Sequence, residues 1–134
     1  RIVSPTAMRR AAAAISTARK HYSLYGMEAA MTARALDTAV AKFAAAQTVV
    51  DLARIACALE RYRLAHGVYP ESLDALAPQF IEKMPRDIIN GQPLHYRRTG
   101  NGKFVLYSVG WDGKDDGGHA SGVSYDKGDW VWQN

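Results

Sequence analysis

The sequence lacks the features that would point most directly to chemistry. It contains one cysteine, Cys57, and four histidines, His21, His66, His95 and His119, which share no zinc-ligand spacing with one another or with Cys57. No stretch approaches the roughly 18 to 20 consecutive apolar residues of a membrane-spanning helix. No signal-peptide pattern precedes Arg1, and the chain does not begin with Met. We expect a fragment or processed product, with any anchor or targeting segment upstream. Ser108 lacks the first glycine of a nucleophile elbow, and the glycines from Gly110 to Gly118 lead into no helix that could hold a phosphate. With no set of acid, base and nucleophile in view, an enzyme is not expected.

At 134 residues, 48% hydrophobic and 22% charged, the chain has the size and composition of one globular domain with its own core. Its net charge of +4 is divided unevenly. Residues 1–67 hold ten Lys/Arg and four Asp/Glu, whereas residues 68–134 hold seven and nine. A basic helical half admits two readings, a solvated helix surface or a binding module for nucleic acid or an anionic surface. The basic residues are spaced singly around alanine-rich turns rather than clustered with aromatics, which favours the solvated surface.

A long helix from Leu36 to Gly67 is the expected spine. Leu36, Phe43, Val50, Cys57 and Leu64 recur every seven residues, with Ala39, Ala46 and Ala53 between them. Around Leu52 the stripe widens through Ile55, Ala56 and Leu59. Cys57 on this stripe reads as a small buried hydrophobe. Gly67 supplies a left-handed cap, Pro70 follows, and His66 suits the negative end of the helix dipole. Upstream, Ser4-Pro5 predicts a capped helix start and a first helix to about Tyr22, with a break near Gly26. The division expected is a helical segment over 1–34 and an α+β domain over 35–134.

After Gly67 the chain is extended into Pro70, and Glu71 to Leu76 predicts a short helix ended by Pro78. Pro85 and Pro93 bracket a loop through Asn90-Gly91. Leu94 to Arg98 then alternates as a strand, Thr99 to Gly102 turns, and Phe104 to Val109 returns, which makes a hairpin. Trp130-Val131-Trp132 is a last strand with both tryptophans on one face. The fold class expected is α+β, a helical spine carrying a three-stranded antiparallel sheet on its C-terminal half. Phe43, Val50, Leu52, Ile55, Leu59, Leu73, Leu76, Phe104, Leu106, Trp130 and Val131 are the expected core.

The segment between the hairpin and the last strand holds Asp112, Asp115, Asp116, Asp126 and Asp129 on a glycine-rich backbone. Hard oxygen donors on a chain able to turn its carbonyls inward are what Ca²⁺ requires, although the spacing is not that of an EF-hand. A solvated Asp-Gly turn region is the alternative.

Taken in order, these pieces resemble the globular part of the major pseudopilin of bacterial type II secretion. Leu59-Glu60-Arg61-Tyr62-Arg63-Leu64 leading to Gly67-Val68-Tyr69-Pro70 is similar to that family's helix end and turn. Gly91-Gln92-Pro93-Leu94-His95-Tyr96 resembles its G-x-P-Y-x-Y segment, and Leu106 to Lys114 its L-Y-S-L-G-A-D-G-K. Asp126 and Trp130 match its D-x-x-x-W, so the likeness runs from about Leu52 to Trp132. It implies a pilin-like, non-enzymatic, extracytoplasmic structural module. It also implies a Ca²⁺ site with Asp112 and Asp126 as side-chain ligands and Val109 and Lys114 as carbonyl donors, and Asp116, which stands early relative to the family's pattern, is the further acid expected at the metal. Partners would be met through the helical spine, in a homo- or hetero-oligomer, and a membrane anchor would lie upstream. The acidic pair that the family carries after its D-G falls here at His119 and Ala120.

Overall fold

The computed structural model describes residues 2–17, 24–120 and 127–133. The first helix, α1, spans Pro5–Thr17. The Ser4 hydroxyl accepts the Ala7 N–H at 3.3 Å, so the cap read from Ser4-Pro5 forms. The expected extension of α1 to Tyr22 falls on residues 18–23, outside the described residues. The spine, α2, runs Leu24–His66, 43 residues, and takes in Gly26 rather than breaking there. Its C-terminus closes as the sequence indicates. Gly67 adopts φ +80°, and its N–H reaches the Arg63 carbonyl at 2.7 Å. His66 donates from Nδ1 to the Tyr62 carbonyl and stacks on the Tyr62 ring.

The chain then turns back through a pin of three side chains. The Glu60 carboxylate accepts the Tyr69 hydroxyl and, at 2.9 Å, the Arg63 Nε–H, while the Arg63 guanidinium lies over the Tyr69 ring. The Tyr69 hydroxyl, with Arg63 behind it, holds the Glu60 carboxyl below its ordinary value. The segment expected as a short helix is a 3₁₀ turn at Leu73–Leu76, with both leucines buried.

The sheet has three antiparallel strands, β1 at His95–Thr99, β2 at Lys103–Ser108 and β3 at Trp130–Gln133, in the order β1-β2-β3. Register sets Tyr96 beside Leu106 and Leu106 beside Trp132, and this row packs on α2. His95, Tyr107 and Val131 form the row on the opposite face. Trp130 and Trp132 thus share the helix-facing side, and Val131 points away from it. Central β2 is buried on both faces after Lys103, because the segment that follows it folds over its outer side.

The core differs from expectation in where α2 is buried. Ala41, Ala44, Ala45, Thr48, Leu52, Ile55, Ala56 and Leu59 form the inner face. Leu36, Phe43, Val50 and Leu64 stay exposed by 57, 77, 53 and 77%, and Cys57 is exposed with them. Phe43, Val50 and Cys57, expected in the core, therefore lie outside it. The physical reason is geometric. The sheet and the 69–94 segment cover one side of the helix, and alanines on that side let the backbones approach closely. The larger residues of the seven-residue series fall on the side turned away. The remaining expected core residues from Leu52 to Leu106 are buried, joined by Tyr69, Ile81, Ile89, Leu94, Val109 and Trp111. Trp130 and Val131, on the edge strand, are half-buried.

Candidate functional site

The acidic segment closes on itself through carboxylates that accept backbone N–H groups. Asp129 is its centre. Only 2% exposed, it takes the Gly118 N–H at 2.7 Å and the Asp116 N–H at 3.1 Å. Asp112, half-buried, takes Lys114 N–H at 3.0 Å on one oxygen and Gly128 N–H at 3.2 Å on the other. Asp115 takes Gly117 N–H at 2.9 Å and the Tyr107 hydroxyl at 3.1 Å, with His95 at 3.5 Å. The Gly117 N–H, reinforced by Tyr107 and His95, holds the Asp115 carboxyl below its ordinary value. These are charge-assisted bonds, the stronger kind of hydrogen bond.

Glycine makes this closure geometrically possible. Gly110 has φ +66°, and a Cβ there would lie 2.1 Å from the Gly128 carbonyl oxygen, so the two ends of the segment meet where no side chain fits. A second buried carboxylate does similar work where the segment leaves β2. Asp87, also 2% exposed, takes Ile89 N–H at 2.9 Å and Val109 N–H at 3.1 Å, which ties the 85–93 loop to the end of β2. Sequence reasoning passes over Asp87. The signal available is an Asp three residues before Asn90-Gly91, placed so that its carboxylate reaches the Ile89 N–H two positions on, the spacing of an Asx turn.

The residues named for Ca²⁺ are placed as follows. Val109 is buried at the end of β2, and Asp112 sits at the mouth of the loop. Lys114 and Asp116 are exposed, and Asp116 contributes its N–H to Asp129 and its carbonyl to His119 Nδ1. Asp126 lies outside the described residues. Among those described, no three acids, histidines or cysteines converge as metal ligands do. The described part of the donor set therefore does not make a cage by itself.

The second notable surface is the outer side of α2. The exposed series from Leu36 to Leu64 makes a stripe about 42 Å long. Beside its middle runs a groove of about 850 Å³ between α2 and residues 83–88, with Phe43 on its rim. Val40, Ala44, Met84 and Ile88 supply apolar lining, and Arg54, Lys83 and Arg86 outnumber Asp51 among the charges.

The family model for type II secretion system protein G matches residues 32–124. The chain belongs to the type II secretion protein G family. No characterised protein and no solved structure gives a significant match. In this protein G-type domain the matched span begins four residues before Leu36, so the exposed stripe, the hairpin and most of the acidic segment all lie within it. A pilin-like α+β arrangement, long helix with a small antiparallel sheet, agrees with that membership.

Proposed function

We propose that this chain is a non-enzymatic, extracytoplasmic structural module of the pseudopilin-like kind, working through protein contacts along α2. The observation that carries the reading is the exposed apolar stripe, lying on the long helix within the span matched to the type II secretion family. Large side chains on a seven-residue repeat are disfavoured in water and are commonly covered by another helix. Membrane attachment belongs, in this reading, to sequence upstream; among the described residues no helix is long and apolar enough to cross a membrane. Nothing in the family match supports nucleic-acid binding by the basic helical half. The placement is tested by fusing the full-length gene product to a reporter that is active only outside the cytoplasm. Reporter activity supports the reading, and a stable fusion that is inactive for want of export sinks it.

Calcium is a second, separable proposal. Asp112 and Asp126 would be its side-chain ligands, with carbonyls from Val109 and Lys114 and Asp116 close by. Because amides already engage the carboxylates of Asp112, Asp115 and Asp129, the cation would add to a closed loop rather than organise an open one. Binding to the folded state alone would raise stability by about 2.7 kcal/mol at a hundredfold excess over the dissociation constant. Calorimetric scans in millimolar Ca²⁺ and in chelator decide it. A rise in Tm that Asp112→Ala removes supports the site, and superimposable curves end the proposal.

A further inference from the structure

The stripe and the groove beside it carry more than a general readiness to assemble. We infer that this face of α2 receives an amphipathic helix of a different protein, one with acidic residues along its edge. The inference deepens the assembly reading above by naming the class of partner.

Three observations point to that occupant. First, Leu36, Phe43, Val50 and Leu64 fall on one seven-residue series and remain exposed, and a seven-residue repeat on a helix matches a second helix supercoiled along it. Ala39, Ala46 and Ala53 lie between them, so a partner backbone can come close. Second, among the described residues of α2 only Met31 and Val49 are large, apolar and exposed off this series, so the stripe is narrower than the broad apolar face with which a helix lies in a lipid interface. Third, the rim is basic. Arg54, Lys83 and Arg86 face the groove against Asp51, and Asp51 already sits beside Arg54 at 3.5 Å.

Charge also argues against a second copy as the occupant. α2 itself carries five Lys/Arg and four Asp/Glu, a near balance with no acidic excess to offer. Of the acids on the C-terminal half of α2, Asp51 lies beside Arg54 and Glu60 beside Arg63. A second α2 would therefore meet Lys83 and Arg86 with no net complement, whereas an acidic helix meets them with opposite charge.

The test uses the purified chain and two synthetic helical peptides of four heptads. Both have Leu and Ala at alternating seam positions; one carries Glu at all flanking positions and the other Lys. Binding is read by fluorescence anisotropy at low and high salt. We expect the Glu peptide to bind at least tenfold more tightly than the Lys peptide, with the preference lost in high salt. Val50→Asp should abolish binding while the melting temperature is preserved, since Val50 is exposed. Lys83→Glu combined with Arg86→Glu should remove the preference for the Glu peptide. Equal binding of the two peptides, or binding of neither, overturns the inference. So does self-association of the chain that Val50→Asp abolishes, which would make the occupant a second copy. Uptake of the chain by anionic vesicles that depends on Val50 would overturn it in favour of a lipid surface. None of these outcomes bears on export of the full-length protein, so failure here is distinguishable from failure of the reading on which it rests.

Discussion

The inner and outer faces of α2 use the same kinds of residue in opposite environments. Leu52, Ile55 and Leu59 are buried against the sheet, while Leu36, Phe43 and Leu64 on the same helix lie in water. Hydrophobic character alone therefore does not say which side of a long helix is the core. The side is chosen by what the rest of the chain can cover, and here 69–94 and the sheet cover only one. A second contrast runs between the helix and the acidic segment. The helix is held by apolar packing on one face, whereas the segment after β2 is held by carboxylates drawn to backbone N–H groups.

The sharpest way to break the comparison is to truncate matched positions on the two faces. Leu59→Ala should cost about 2 to 5 kcal/mol, the range for a buried leucine truncation, measured by urea unfolding. A cost under about 0.5 kcal/mol, the scale of surface substitutions, would mean the inner face is misplaced. Next comes the hub of the acidic segment. Asp129→Ala removes the acceptor for the Asp116 and Gly118 amides and should cost about 1 to 3 kcal/mol by the same measurement, more than Asp112→Ala. The reverse order would show that Asp112, not Asp129, closes the segment.

The sheet side offers a pH test. Burial pushes the Tyr96 hydroxyl from its ordinary 10.0 up to about 12, and it donates to the Pro70 carbonyl at 2.8 Å. Between those values the unfolded chain loses this proton while the folded chain keeps it. Stability contributed by the neutral hydroxyl is thus complete below about pH 10 and lost as the pH rises toward 12. Tyr96→Phe should cost about 1 kcal/mol at neutral pH for the lost hydrogen bond, and should flatten the alkaline fall. An unchanged alkaline slope would assign it to other tyrosines. The smallest effect expected is on the outer face. Phe43→Ala or Val50→Ala should change the stability of the isolated chain by no more than about 0.5 kcal/mol. A loss as large as that of Leu59→Ala would show that the stripe is covered within the chain itself.

Much of the fold is legible in the sequence because the signals that specify it are local. Gly67 can end α2 since a left-handed residue needs no partner to be favourable at glycine. Ser4 can cap α1 since its acceptor and the Ala7 N–H are three residues apart. The alternation from Leu94 and the turn at Thr99 to Gly102 define a hairpin within 15 residues. The candidate acidic segment is legible as a concentration of aspartates, but its wiring is not. Asp129 meets Gly118 across eleven positions and Asp87 meets Val109 across 22, and no spacing rule connects residues whose meeting depends on where a sheet places them.

By itself the sequence determined the presence and C-terminal limit of α2, the hairpin, the last strand and the family, each a property of neighbouring residues or of motifs in order. Tertiary structure alone decided which face of α2 is core, which aspartates are buried, and that Phe43 and Val50 lie outside. The helix carries two apolar faces of comparable strength, so its periodicity allows either to turn inward. The alanine face wins because close approach there lets the sheet, Tyr69 and Leu76 bury themselves against Leu52, Ile55 and Leu59, which leaves the larger side chains of the other face exposed.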